Sequence, residues 1–174
     1  FERLAMLDRE AGDVVRAAEH LRQGADVARG IGDDTTAIGL LADLRDLDPR
    51  DIHAARQLME LYDRNADFAR IPALAGELLD LTSEPAERIQ ILRSLSRTLA
   101  EQLGDLPGAF AAARSAFTLA WQTPYADREV LAELEALAGR ANAGQECADA
   151  LSGVIAALVR DPDPDAGRGA SADG

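Results

Sequence analysis

Lysine is missing from this chain of 174 residues: all 18 basic side chains are arginine. With abundant alanine, aspartate and glycine beside it, that usage points to translation from a GC-rich, bacterial genome. Cysteine is nearly missing too. The single one, Cys147, excludes an internal disulfide framework and fits a reducing, cytoplasmic compartment. In an apolar helical stretch it reads as a small core residue. Aromatics make up 4% of the chain, which suits helix-on-helix packing rather than a β-sandwich. No apolar run approaches the ~18 residues of a membrane span, so no membrane partner is expected. Positive charge is short: 31 acidic residues against 18 basic leave a net charge of −13. Phosphates would be repelled over most of such a surface, so no nucleic-acid partner is expected and basic partners are favoured.

Chemistry-bearing clusters are equally sparse. His20 and His53 stand in different helical stretches without metalloprotease spacing. One Cys and two His are too few for a zinc site unless carboxylates join. No glycine-rich phosphate loop follows a strand, because alternation of period two is absent. The many carboxylates read as a solvated face rather than an acid/base pair. The sequence therefore offers no catalytic residue, no cofactor site and no metal site, and it reads as a non-enzyme.

What the chain does contain is regular punctuation. The stretch 86–124 shows it best. Ile89, Leu92, Ser96, Leu99 and Leu103 recur in steps of three and four, one face of a helix. Pro85 suits the helix start and Gly104 the exit. A second helix follows, with Ala109, Ala112, Ala113 and Ala116 as a smooth strip and Phe110 and Phe117 as fillers between pairs. Weaker copies flank this unit. Helices are expected over 1–10, 14–30, 35–47, 51–65, 68–81, 127–140 and 145–160. Prolines 49, 85, 124 and 162 close successive units, 36, 39 and 38 residues apart. Asp33, Asp67 and Asp105 mark the turns inside them, 34 and 38 apart. Overlaying 1–33 on 73–105 pairs Gly32 with Gly104 and Asp33 with Asp105. Helix pairs recurring at 34 to 39 residues imply an α-solenoid, since no single hairpin buries its apolar face alone. The expected fold is all-α: about four stacked antiparallel hairpins after a leading half-hairpin, over residues 1–160. Residues 161–174, DPDPDAGRGASADG, read as a disordered acidic Pro/Gly tail.

This layout resembles tetratricopeptide repeats. In that family a second helix follows a Gly-Asp turn, carries a small residue four positions after the Asp, and ends at a proline. Here those positions are Gly32, Asp33, Ala37 and Pro49, and again Gly104, Asp105 and Ala109. Ala66-Asp67 begins a looser copy. Leu58, Met59 and Tyr62 echo the family's first helix; Leu95, Ser96 and Leu99 do so with Leu in place of the aromatic. The family's opening aromatic is missing throughout. Sel1-like and other helical-hairpin repeats share this pattern, as do the loosely matching arrays of large GC-rich bacterial proteins.

The resemblance implies that first helices line a concave groove. Polar stripes on those helices would then face a peptide or a neighbouring subunit. The expected partner-binding residues are Arg22, Arg29, His53, Arg56, Glu60, Arg93 and Arg97. Arginine can grip a carboxylate with two parallel hydrogen bonds. Any amphipathic helix has a charged outer stripe, and that plainer reading stays open. Trp121 and Tyr125, around Pro124, read either as an interface anchor or as packing between hairpins; Tyr62 and Phe68 read as core. The expected function is a scaffold for protein–protein interaction. The alternative is a regulatory or sensor repeat region whose output domain lies upstream. The opening FERLAML, without methionine or a visible signal peptide, reads as the C-terminal part of a longer protein. Leu4, Met6 and Leu7 would then be covered by missing chain or another subunit. At the other end, 145–160 would serve as a cap with Glu146, Asp149 and Arg160 towards water.

Overall fold

The computed structural model describes residues 1–123, 125 and 127–160. All regular elements among them are helical. The closing prolines Pro124 and Pro162, the tail 161–174 and the Arg160 side chain fall outside the described residues. The chain divides into two compact units, Phe1–Glu84 and Pro85–Gly174.

The first unit holds α1 (Glu2–Glu10), α2 (Val14–Gly30), α3 (Asp34–Leu47), α4 (Ile52–Arg64) and α5 (Ile71–Leu81), the last entered through a 3₁₀ turn, Phe68–Arg70. Each helix packs on the next in sequence. The core is made of alanines and leucines: Ala17, Leu21, Ala25, Leu41, Leu44, Ala55, Leu61 and Leu78 are almost fully buried. Tyr62 is in the core as expected, whereas Phe68 is only half-buried because its 3₁₀ turn lies at the unit's edge. Gly24 allows a close approach in this unit. A Cβ there would lie 2.7 Å from Cβ of Phe1 and 3.0 Å from Cδ1 of Leu40. Leu4, Met6 and Leu7 are exposed on α1, as the sequence pattern anticipates.

The second unit holds α6 (Pro85–Thr98), α7 (Leu106–Trp121), α8 (Arg128–Ala141) and α9 (Gly144–Arg160). α6 continues into a π-helical turn, Leu99–Leu103. The expected apolar face is buried at Ile89, Leu92, Ser96 and Leu99, but Leu103 is 41% exposed. The widened turn is the reason: it rotates residues off a phase set for 3.6 residues per turn. Ser96 earns its place on the apolar face by donating its hydroxyl to the Ala109 carbonyl at 2.8 Å, across the α6–α7 contact. Phe110, Phe117 and the alanine strip of α7 are buried.

One device makes most of the turns. A residue in the left-handed region ends one helix, at Gly12, Gly32, Ala66, Gly104 and Asn142. The amide that follows reaches back five or six residues, as from Asp33 to Ala28 at 2.8 Å and from Asp67 to Tyr62 at 2.8 Å. At Asp13, Asp33 and Asp105 the same residue then caps the next helix through its side chain, accepting from the amide three residues on. The Asp33 carboxyl is held below its ordinary pKa by the Thr36 hydroxyl and then by the Thr36 amide. Glycine followed by aspartate is thus a stop and a start in two residues.

Candidate functional site

The predicted residues lie on α2, α4 and α6, and two helix pairs, α2 with α4 and α6 with α8, hold them. Their contacts are regular. Nε and Nη2 of Arg22 both donate to Asp51, at 3.1 and 2.8 Å. Gln57 donates to Asp26 at 3.4 Å, and its amide is 3.0 Å from the His53 ring. Arg29 meets Glu60 at 3.4 Å. Partner numbers rise together along both helices, so α2 and α4 run parallel. α3 and α5 are tied as well, Arg45 to Glu77. Arg64 and Asn65 at the end of α4 both donate to Asp34.

Asp51 does two jobs here. One oxygen caps α4 by accepting from the Ala54 amide at 2.9 Å; the other takes Arg22. Burial works to raise its pKa, but the Ala54 amide and the Arg22 guanidinium outweigh it and hold the carboxyl below its ordinary value. The structure therefore brings Arg22, Arg29, His53 and Glu60 onto facing surfaces and engages each with a neighbour. Arg56 is exposed on α4.

In the second unit the ties gather at one point. Arg93, with 15% of its side chain exposed, donates to both oxygens of Glu133 at 2.9 and 2.7 Å and to Glu129 at 3.2 Å. The Glu133 hydrogen bond, against a burial penalty, raises the pKa of this guanidinium above its already high ordinary value. Farther along, Nη2 of Arg140 donates to the Ala100 carbonyl in the π turn at 3.2 Å. The rising partner numbers again make α6 and α8 parallel. A trough runs between them on either side of Arg93. Its wider part, about 350 Å³, lies by Ile89, Tyr125, Asp127 and Val130. Its narrower part, about 160 Å³, lies by Arg97, Glu101, Glu133 and Arg140. From Ala86 to Glu101 this is about 20 Å of helix. Arg97 is the loosely held cation: its side chain is 63% exposed and its guanidinium is 4.0 Å from Glu133, an oxygen that Arg93 already holds at 2.7 Å.

A further cleft lies between α7 and α9, about 550 Å³, lined by Arg114, Thr118 and Trp121 on one wall and Glu146, Asp149 and Val154 on the other. The Trp121 ring is half-buried and rests on Phe117, centroids 4.9 Å apart. Sequence reasoning flagged Trp121 but missed the cleft. The available signal was the run of small residues on α9, Ala150, Gly153 and Ala157, which keeps that wall low. Glu146 and Asp149 are exposed, as expected for an end helix. Cys147 is buried beside them, and burial, then the nearby Glu135 charge, pushes its thiol pKa up. It is a protonated core residue.

No group of three or more His, Cys, Asp or Glu side chains among the described residues is arranged to hold a metal ion. No helix of the described chain is long and apolar enough to cross a membrane. No family model matches the chain, and no curated protein matches it in sequence.

Proposed function

We propose that this chain is a non-enzymatic interaction module of tetratricopeptide-like hairpins that holds a segment of a partner protein in the trough between α6 and α8. In this reading α2–α3, α4–α5, α6–α7 and α8–α9 are four stacked hairpins of a solenoid, with α1 as the leading half. Parallel first helices tied at similar steps support it. So does the turn device, which recurs at corresponding places in both units. Arginine-only usage and a single buried cysteine support a reducing bacterial cytoplasm as its setting.

One observation carries the choice of surface. Arg97 presents an exposed guanidinium to the trough while its nearest carboxylate is committed to Arg93. A partner's carboxylate would meet it with two parallel hydrogen bonds. At the other end the exposed Tyr125, over the buried Ile89 and Val130, offers apolar contact for the flanking residues. The test is a displayed peptide library selected against the immobilised chain. Enriched peptides should carry an acidic residue beside an apolar one, and Arg97→Glu should weaken their capture at least tenfold. Selection that is indifferent to Arg97→Glu would remove the trough as the binding surface.

A further inference from the structure

The α7–α9 cleft uses different helices from the trough and asks for different chemistry. Its direction follows from the ties already described. α6 and α8 run parallel, and each reverses into its second helix, so α7 and α9 run parallel to each other. Trp121 ends α7 and Arg114 stands seven residues before it, about 10 Å along the axis. On α9 the order is Glu146 and Asp149 first, then Val154 and Ala157. The cleft therefore has an acidic end by Glu146 and Asp149 and an apolar end by Trp121, Val154 and Ala157.

The two ends differ in what they lack. Among the described residues Glu146 and Arg114 have no ion-pair partner, and Asp149 accepts only from the neutral Gln145 amide at 2.9 Å. Two carboxylates against one guanidinium leave that end negative, on a chain of net charge −13. At the apolar end Phe117 supports one side of the Trp121 ring and leaves the rest of it towards the cleft. An indole fixed in this way is a preformed contact surface that loses little freedom on binding. The space, about 550 Å³, accommodates a large side chain and part of the helix that bears it.

We propose that this cleft docks a basic amphipathic helix of a protein partner. An aliphatic or aromatic side chain of that helix seats against Trp121, Val154 and Ala157. A lysine or arginine about two turns away lies between Glu146 and Asp149. Charge complementarity selects the basic partner, and helical spacing links the two contacts.

Trp121 is the single tryptophan of the chain, so its emission reports the cleft directly. The probe is a tryptophan-free 18-residue helical peptide with leucine and phenylalanine on one face and arginine on its flanks, titrated into the full chain. A saturable blue shift of Trp121 emission is expected. The twin peptide with glutamate for arginine should bind at least tenfold more weakly. Glu146→Lys with Asp149→Lys should reverse that preference, and Ala157→Phe should block both peptides. All three positions are exposed, and circular dichroism checks that the variants remain helical. Arg97→Ala should leave the shift unchanged, which separates this site from the α6–α8 trough. Equal shifts with both peptides, no saturable shift, or no response to the charge reversal would each overturn the proposal. A shift that grows with protein concentration alone would mean that a second copy fills the cleft, and would overturn it as well.

Discussion

The α2–α4 and α6–α8 pairs carry the same kind of charged stripe and make different surfaces of it. Between α2 and α4 the ties are spread along the helices, at Arg22–Asp51, Asp26–Gln57 and Arg29–Glu60, with partners 29 to 31 residues apart. Between α6 and α8 they converge on Arg93, with partners 36 and 40 residues away. A distributed seam holds two helices together along their length. A knot of ion pairs at one point leaves room on either side of it, and Arg140 donates to the Ala100 carbonyl only farther along. The difference teaches that a stripe of arginines does not by itself mark a ligand surface; the spacing of carboxylates on the facing helix decides.

The sharpest way to break this comparison is to cut the knot. Arg93→Ala removes three hydrogen bonds and leaves Glu133 facing a half-buried site without its cation. A loss of about 2–3 kcal/mol is expected, below the figure for a fully buried pair. Arg22→Ala on the other seam, with 43% of its side chain exposed, should lose only about 1 kcal/mol. Urea denaturation read by circular dichroism measures both. Equal losses would mean that the two seams share their load alike.

Asp51 sharpens the comparison through pH. Its folded pKa lies below the ordinary carboxylate value of 3.8. A lowered pKa means that the stabilisation is present above the unfolded value and is lost as pH falls through the folded one. Asp51→Asn should therefore cost about 1 kcal/mol at pH 7, chiefly for the Arg22 tie, because asparagine caps a helix about as well as aspartate does. That difference from wild type should shrink steadily below pH 4. A constant difference down to pH 2 would assign the effect to packing.

Much of this architecture is legible in the sequence because it is local. Helix ends follow from Gly32-Asp33 and Gly104-Asp105, whose backbone and capping needs are met within a few residues. The buried strip of α7 follows from period alone. What stays hidden depends on distant residues. Nothing near Arg93 in sequence announces Glu133, 40 positions away. Leu103 looks buried until the π turn is known. The α7–α9 cleft exists because small residues on α9 face Trp121, and no local rule pairs those two helices.

The turn device offers a smaller effect, which compares one turn with its equivalents. Ala66 occupies the left-handed position with φ of 56°, where Gly32 stands at 77°. A side chain there is strained by the contact of Cβ with backbone. Ala66→Gly should gain about 0.5–1 kcal/mol, whereas Gly32→Ala should lose about 1 kcal/mol. Thermal melts of the two variants read the signs directly. Matching signs would mean that the two turns are not equivalent.

The smallest effect belongs to Arg97. An exposed cation 4.0 Å from an occupied carboxylate contributes little to folding, and Arg97→Ala should change stability by less than about 0.5 kcal/mol. That small value is itself informative. Arg93 cannot be used to test binding, because its removal disturbs the helices that form the trough. Arg97 can: with stability unchanged in a melt, any loss of peptide capture reports contact with the ligand. If Arg97→Ala instead lowered stability as much as Arg93→Ala, the guanidinium would be part of the knot, and the trough would have no loosely held cation to offer.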